Sequence, residues 1–224
     1  MANSRKIRVM ISSRCSDNIE LAGKKATMST VRLAMKAFIA ELEPFAGPLF
    51  DCWINEDSPA MAGTDTAWEA CLDQVRKADI VIVLYNGNPG WSHENSDIGI
   101  CHAELQTAMT SGAAKVFAIN LPLAALPKGA EEADKVKRFR EYFEKQNLFA
   151  GMAKNGDEVL KLLPDVLHEA VVELVNLGGR EARKGRFDTG DALDWSRLDF
   201  ASRKKAIERV VRSSLLDRKG SFKD

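Results

Sequence analysis

The run Asp79-Ile80-Val81-Ile82-Val83-Leu84-Tyr85 decides the fold of this chain. Its apolar positions are continuous rather than alternating, so both faces of the strand need covering. A strand sandwiched between helices meets that need. The run is far too short to cross a bilayer, which takes about 20 apolar residues in a helix. Three more runs read the same way: Ile7 to Ser12, Leu49 to Ile54 and Lys115 to Leu121. A short run, Leu148 to Ala150, offers a fifth strand.

Between these runs the hydrophobic period changes to that of a helix. Val31, Met35, Phe38, Ile39 and Leu42 form one stripe, with Ser29 or Thr30 to cap its start and Pro44 to end it. Trp68, Leu72 and Val75 form another, opened by Thr66 with Glu69 three residues on, a capping-box pattern. Cys101, Leu105, Ala108 and Met109 form a third, stopped by Gly112. Val136 to Phe143 continues the alternation, and Val159 to Leu177 gives a last helix restarted at Pro164. Such alternation predicts right-handed crossovers and an α/β fold. The expected architecture is three-layer and flavodoxin-like, an open parallel sheet of order 2-1-3-4-5. A closed barrel needs roughly twice as many strand–helix units.

The chain of 224 residues accommodates one sizeable domain with an appendage. Residues 1–178 read as the domain and 179–224 as a charged linker and helical extension. The character changes at Gly178-Gly179-Arg180, and Leu193-Asp194-Trp195 and a helical stretch from about Asp199 to Leu216 follow. Hydrophobic residues at 45% against 29% charged exclude disorder as the default. The polar start, Met1 to Lys6, leads straight into a strand, so no signal peptide is expected. Cys15, Cys52, Cys71 and Cys101 lack paired spacing, which fits reduced thiols and a cytoplasmic location without membrane association. No metal-ligand spacing occurs, and neither metal nor bound cofactor is expected. From Arg180 onward 13 Lys plus Arg face 8 Asp plus Glu, a local balance of +5 in a chain of zero net charge. Without aromatic interleaving this reads as a solvated face rather than a nucleic-acid contact.

In open parallel sheets ligands bind outside the carboxyl ends of the strands, where the strand order reverses. The residues leaving those ends are Ser12-Ser13-Arg14, then Asn55-Glu56-Asp57, then Asn86-Gly87-Asn88-Pro89-Gly90-Trp91-Ser92. None is a dinucleotide fingerprint or a P-loop. Tyr85-Asn86 stands where a receiver domain would carry its phosphoacceptor aspartate. The loop Ser92 to Asp97 feeds a helix with Glu104 in its second turn, on the border of the apolar stripe. A carboxylate placed there faces the cleft partly desolvated, with its pKa raised unless Arg14 or a ligand hydroxyl offsets the burial. Two readings stand. Glu104 either binds loop amides or an arginine, or it stabilises the oxocarbenium character of a ribose anomeric carbon during bond cleavage.

The residues carry a family likeness. Arg8-Val9-Met10-Ile11-Ser12-Ser13 resembles the first strand of TIR-like domains, which ends in a serine. Asp79 to Tyr85 followed by Gly99-Ile100-Cys101-His102-Ala103-Glu104-Leu105 resembles a TIR-like family of unknown function, the domain-of-unknown-function family 4062. Its members stand at the front of large ATPase-type signalling and defence proteins. Asp97, Gly99 and Glu104 are similar to the Asp-x-Gly…Glu pattern of nucleoside 2-deoxyribosyltransferases. Across Lys6 to Leu177 the resemblance implies a flavodoxin-like fold. For enzymatic TIR relatives it implies cleavage of the nicotinamide glycosidic bond, with NAD as substrate, Glu104 as the catalytic carboxylate and Ser12 and Ser13 in the nucleotide-contacting loop. It also implies a homo-oligomer or a larger signalling assembly, or a module acting by self-association alone.

The candidate ligand-binding set is therefore Ser12, Ser13, Arg14, Asn86, Gly87, Trp91, Ser92 and Asp97, around Glu104. Arg14 is the stronger phosphate partner, because guanidinium forms two bonds at once; surface charge accounts for Lys24 and Lys25 equally well. Trp91 follows a Gly-Asn-Pro-Gly turn and can stack on a ring or pack, whereas Trp53 and Trp68 read as core. His93 reads as an exposed loop residue, and His168 as a partly solvated one. Cys101 and His102 are adjacent on a helix, about 100° apart, and do not form a nucleophile–base pair.

Overall fold

The computed structural model describes residues 6–42, 48–57, 64–93, 96–112 and 115–187, without side chains at 64–66 and 181–187. Five parallel strands form one sheet: β1 (Ile7–Ser12), β4 (Phe50–Trp53), β5 (Ile80–Tyr85), β6 (Val116–Asn120) and β7 (Gly151–Met152). Their spatial order is β4-β1-β5-β6-β7, the predicted 2-1-3-4-5 once the crossover strands alone are numbered. β1 is an interior strand, pairing Ile7 with Phe50 on one side and Val9 with Ile80 on the other.

Continuous apolar runs become two cores because successive strand residues point to opposite faces. Val9 and Ile11 of β1, with Ile80, Ile82 and Leu84 of β5, pack under α1 (Met28–Glu41) and the first part of α5 (Gly156–Phe187). Met10, Val81, Val83 and Tyr85 face α2 (Thr64–Lys77), α3 (Ile100–Gly112) and α4 (Ala130–Gln146). Ser12 ends β1 on that second face. Tyr85 stacks on Phe143 with ring centroids 3.5 Å apart, which fastens α4 beside the end of β5.

An element absent from the sequence reading fills the first loop: an antiparallel hairpin of β2 (Asn18–Leu21) and β3 (Lys24–Thr27). Ala22 (φ 52°) and Gly23 (φ 69°) form its two-residue turn, the left-handed pair that matches strand twist. β3 carries the chain directly into α1, so Thr27 caps that helix, accepting from the Thr30 N–H at 3.4 Å, in place of Ser29 or Thr30. Lys24 and Lys25 sit on the exposed hairpin. The fifth strand lies at 151–152, past the predicted 148–150. α5 runs through Pro164, its ninth residue, rather than restarting there.

The chain divides into two compact units, Met1–Val175 and Asn176–Asp224. In the second, residues 176–187 are helical, so Gly178 and Gly179 belong to a helix and not to a link. Two glycines cost a helix about 2 kcal/mol together; the strong helix formers Arg180, Glu181, Ala182, Arg183 and Lys184 follow them. Trp195 and the stretch Asp199 to Leu216 lie outside the described residues.

Candidate active site

The loop after β5 and the start of α3 are built around one glycine. A Cβ at Gly99 would collide with the Pro89 carbonyl, so only glycine lets the two backbones meet. That approach allows the Ile100 N–H to donate to the Trp91 carbonyl (2.8 Å) and the Cys101 N–H to donate to that of Pro89 (2.9 Å). Two of the first helical donors are thereby occupied by protein. The same docking sets the rotation of α3. Glu104 then points at the end of β1, where the Ser12 hydroxyl donates to its Oε2 at 2.5 Å.

Glu104 is 6% exposed, yet it lines a cavity of about 120 Å³ together with Ser13, Arg14, Arg32, Cys71 and Trp91. Burial pushes its carboxyl up to about 7, against the opposing pull of the Ser12 hydroxyl, the Arg32 charge and the Cys71 thiol. The Cys71 and Cys101 thiols in this wall stay protonated at neutral pH. Burial raises Cys71 to about 12 and Cys101 well above its ordinary value, and the Glu104 charge adds to both. Little thiolate is therefore present at either one at neutral pH. His102 turns away from Cys101, as helix geometry requires, and packs against Phe139 and Tyr142 with centroids at 5.2 and 4.9 Å. Burial holds its pKa down at about 4, which keeps the ring neutral.

A second, larger cleft of about 610 Å³ runs between the 87–93 loop and α4, and shares Arg14, Gly90 and Trp91 with the first. Its volume is that of an ordinary small-molecule site. Gly87 (φ 76°) and Ser92 line it, and a Cβ at Gly87 would sit 2.6 Å from Arg140 Nε. Trp91 stands exposed at the junction, edge-on to Trp68 with centroids 5.6 Å apart. His93 also lines this cleft and meets Trp68 edge-on at 6.0 Å.

Asn86 has a different place. Its amide donates to Asp17 Oδ2 (2.7 Å) while its carbonyl oxygen accepts from the Asn88 N–H (3.1 Å). Asn88 in turn donates to Asp17 Oδ1 at 3.2 Å and accepts from Arg14 Nη1 at 3.0 Å. This network buckles the first loop to the third, and sets Arg14 at the mouth of both cavities. Asp97 lies apart, its side chain 88% exposed and 3.4 Å from Arg138. The structure thus gathers Ser12, Ser13, Arg14, Trp91 and Glu104, places Gly87 and Ser92 in the adjoining cleft, and leaves Asp97 outside both.

Arg32, Cys71 and Asp17 belong to the site and were not singled out by sequence. Arg32 had a signal: it shares the inward face of α1 with Met35 and Ile39, three and seven residues on, where a charge needs a reason. Among the described residues no three His, Cys, Asp or Glu side chains gather to hold a metal ion. Likewise, among them no helix is long and apolar enough to cross a membrane.

Fold and site together define a flavodoxin-like α/β domain with a buried carboxylate at the point where the strand order reverses. Residues 8–163 match the family model described as Domain of unknown function (DUF4062), well over half of the chain, and the chain belongs to that family. A comparison with curated proteins returned no match.

Proposed function

We propose that this protein is a TIR-like domain that cleaves or transfers the N-glycosidic bond of NAD or a related nucleotide, with Glu104 as the catalytic carboxylate. The observation that carries the reading is the Glu104–Ser12 pair: a buried carboxylate that opens onto a cavity and keeps one oxygen free of Ser12. In the reaction the C1′–N bond breaks and its electron pair passes to the pyridinium nitrogen, which leaves as neutral nicotinamide. The ribosyl carbon is left electron-poor, and the ionised Glu104 stabilises it until water or another acceptor adds at C1′ and loses a proton. Ser13, Arg14 and Trp91 hold the nucleotide around that carbon, with Gly87 and Ser92 along the cleft beyond. Asn86 serves by fixing the first loop. By the family's usual setting, the domain is the effector or sensor part of a signalling or anti-phage defence system and works in a homo-oligomer.

Concentrated protein incubated with NAD is expected to release free nicotinamide. Glu104→Gln, which keeps the Ser12 bond but never carries charge, should lower the rate by about a hundredfold or more. Turnover unaffected by that substitution removes Glu104 from the chemistry.

A second reading, a non-catalytic self-association module, draws on a different observation. Phe149 and Met152 stand 66% and 74% exposed at the edge strand β7, an apolar edge of the kind that pairs with other chains. Absence of nicotinamide release at every concentration through which the chain assembles would favour it.

A further inference from the structure

Arg32 is a buried cation that the reaction above leaves without a task. It is 3% exposed and lines the same cavity as Glu104. Its Nη1 donates to the Ser13 carbonyl at 3.0 Å, one residue from the serine that binds Glu104. Its Nη2 pairs with the Glu56 carboxylate, which comes from the 3-10 turn Asn55–Asp57 after β4. Its Nε is buried with no hydrogen-bond partner among the described residues. Two carboxylates therefore share one guanidinium. Glu56 has the contact, while Glu104 has the charge's field across the cavity that the two residues line together.

The groups that act on Glu104 come from four elements: Ser12 from β1, Arg32 from α1, Cys71 from α2, and Cys101 from its own helix. Both thiols remain neutral, so Arg32 is the one cation in this set. A buried guanidinium left without an anion is strongly unfavourable. If Glu56 is lost, Glu104 is the carboxylate that lines the same cavity as Arg32 and can take its place.

We propose that Arg32 is a positioning residue for Glu104, restrained by its ion pair with Glu56: when that pair opens, the guanidinium turns to Glu104 and holds it as an anion at the cavity wall. Its consequence for turnover rests on reading Glu104 as the catalytic carboxylate; the exchange of partners does not. The 3-10 turn at the end of β4 then acts as a brake on the carboxylate.

The exchange is tested without substrate, by urea unfolding at pH 8 of the wild type, Glu104→Gln, Glu56→Gln and the double variant. In the wild-type background Glu104→Gln relieves a buried charge and raises the midpoint. In the Glu56→Gln background the same change removes the replacement partner of Arg32 and lowers it. The same sign in both backgrounds overturns the proposal. A titration of ¹³C-labelled glutamate side chains, with the Glu104 signal assigned by its loss in Glu104→Gln, reads the same event. The Glu104 midpoint should fall by about one pH unit in Glu56→Gln. Should that variant not fold, Glu56→Asp, which shortens the reach to Arg32, should move the midpoint the same way by less. A midpoint that stays or rises overturns the proposal. Sign reversal in a chain that never releases nicotinamide would sink the enzymatic reading alone; turnover without reversal would sink the exchange alone.

Discussion

Two buried side chains on one helix turn give this protein opposing responses to pH. Glu104 holds its proton more tightly folded than unfolded, since its pKa stands at about 7 against 4.5. Its stabilising share is complete below pH 4.5 and is lost as the pH rises through about 7. His102 runs the other way: its pKa is near 4 against 6.5, so its share is complete above pH 6.5 and is lost on acidification toward 4. Glu104→Gln should therefore raise the thermal midpoint at pH 8, by up to about 3 kcal/mol in stability, and change it little at pH 4.5 or below. Melting curves at both pH values check this. A gain of equal size at both would mean that the carboxylate is not held neutral by burial.

At the scale of elements, the contact between α3 and the 89–91 loop carries the site. Gly99→Ala should push that loop away from the helix, break the Trp91–Ile100 and Pro89–Cys101 backbone bonds, and cost about 1–3 kcal/mol. Intrinsic fluorescence should report it, because Trp91 loses its place against Trp68. An unchanged melting point and spectrum would contradict the packing described. The long strands were legible in sequence because six continuous apolar residues, as in β5, leave little alternative. The hairpin was not. Its strands have four residues each, and Lys24-Lys25 in one of them suggested phosphate contact more than pairing. Its available signal was alternation in Asn18 to Leu21 before an Ala-Gly turn. Ser12, Ser13 and Arg14 were legible because the strand-end rule needs only the strand boundaries, and Glu104 because its helical spacing from Cys101 and Ala108 puts it beside the buried stripe of α3. Arg32 and Asp17 were missed because their role depends on which loop lies opposite, and spacing along the chain does not contain that.

For the whole molecule, the sheet order places the ends of β1 and β5 side by side, and with them a small pocket and a larger cleft joined at Trp91. A carboxylate poised near neutrality in such a pocket can be charged or neutral according to its surroundings, which suits a domain switched on by assembly or by release of Arg32. The most direct measurement is nicotinamide release from NAD as a function of pH, for the wild type and Glu104→Gln. If ionised Glu104 stabilises the ribosyl carbon as the base departs, the wild-type rate climbs as the pH passes through about 7 and the variant stays low throughout. A rate that is flat across this range, or a variant that keeps pace with the wild type, would contradict the account.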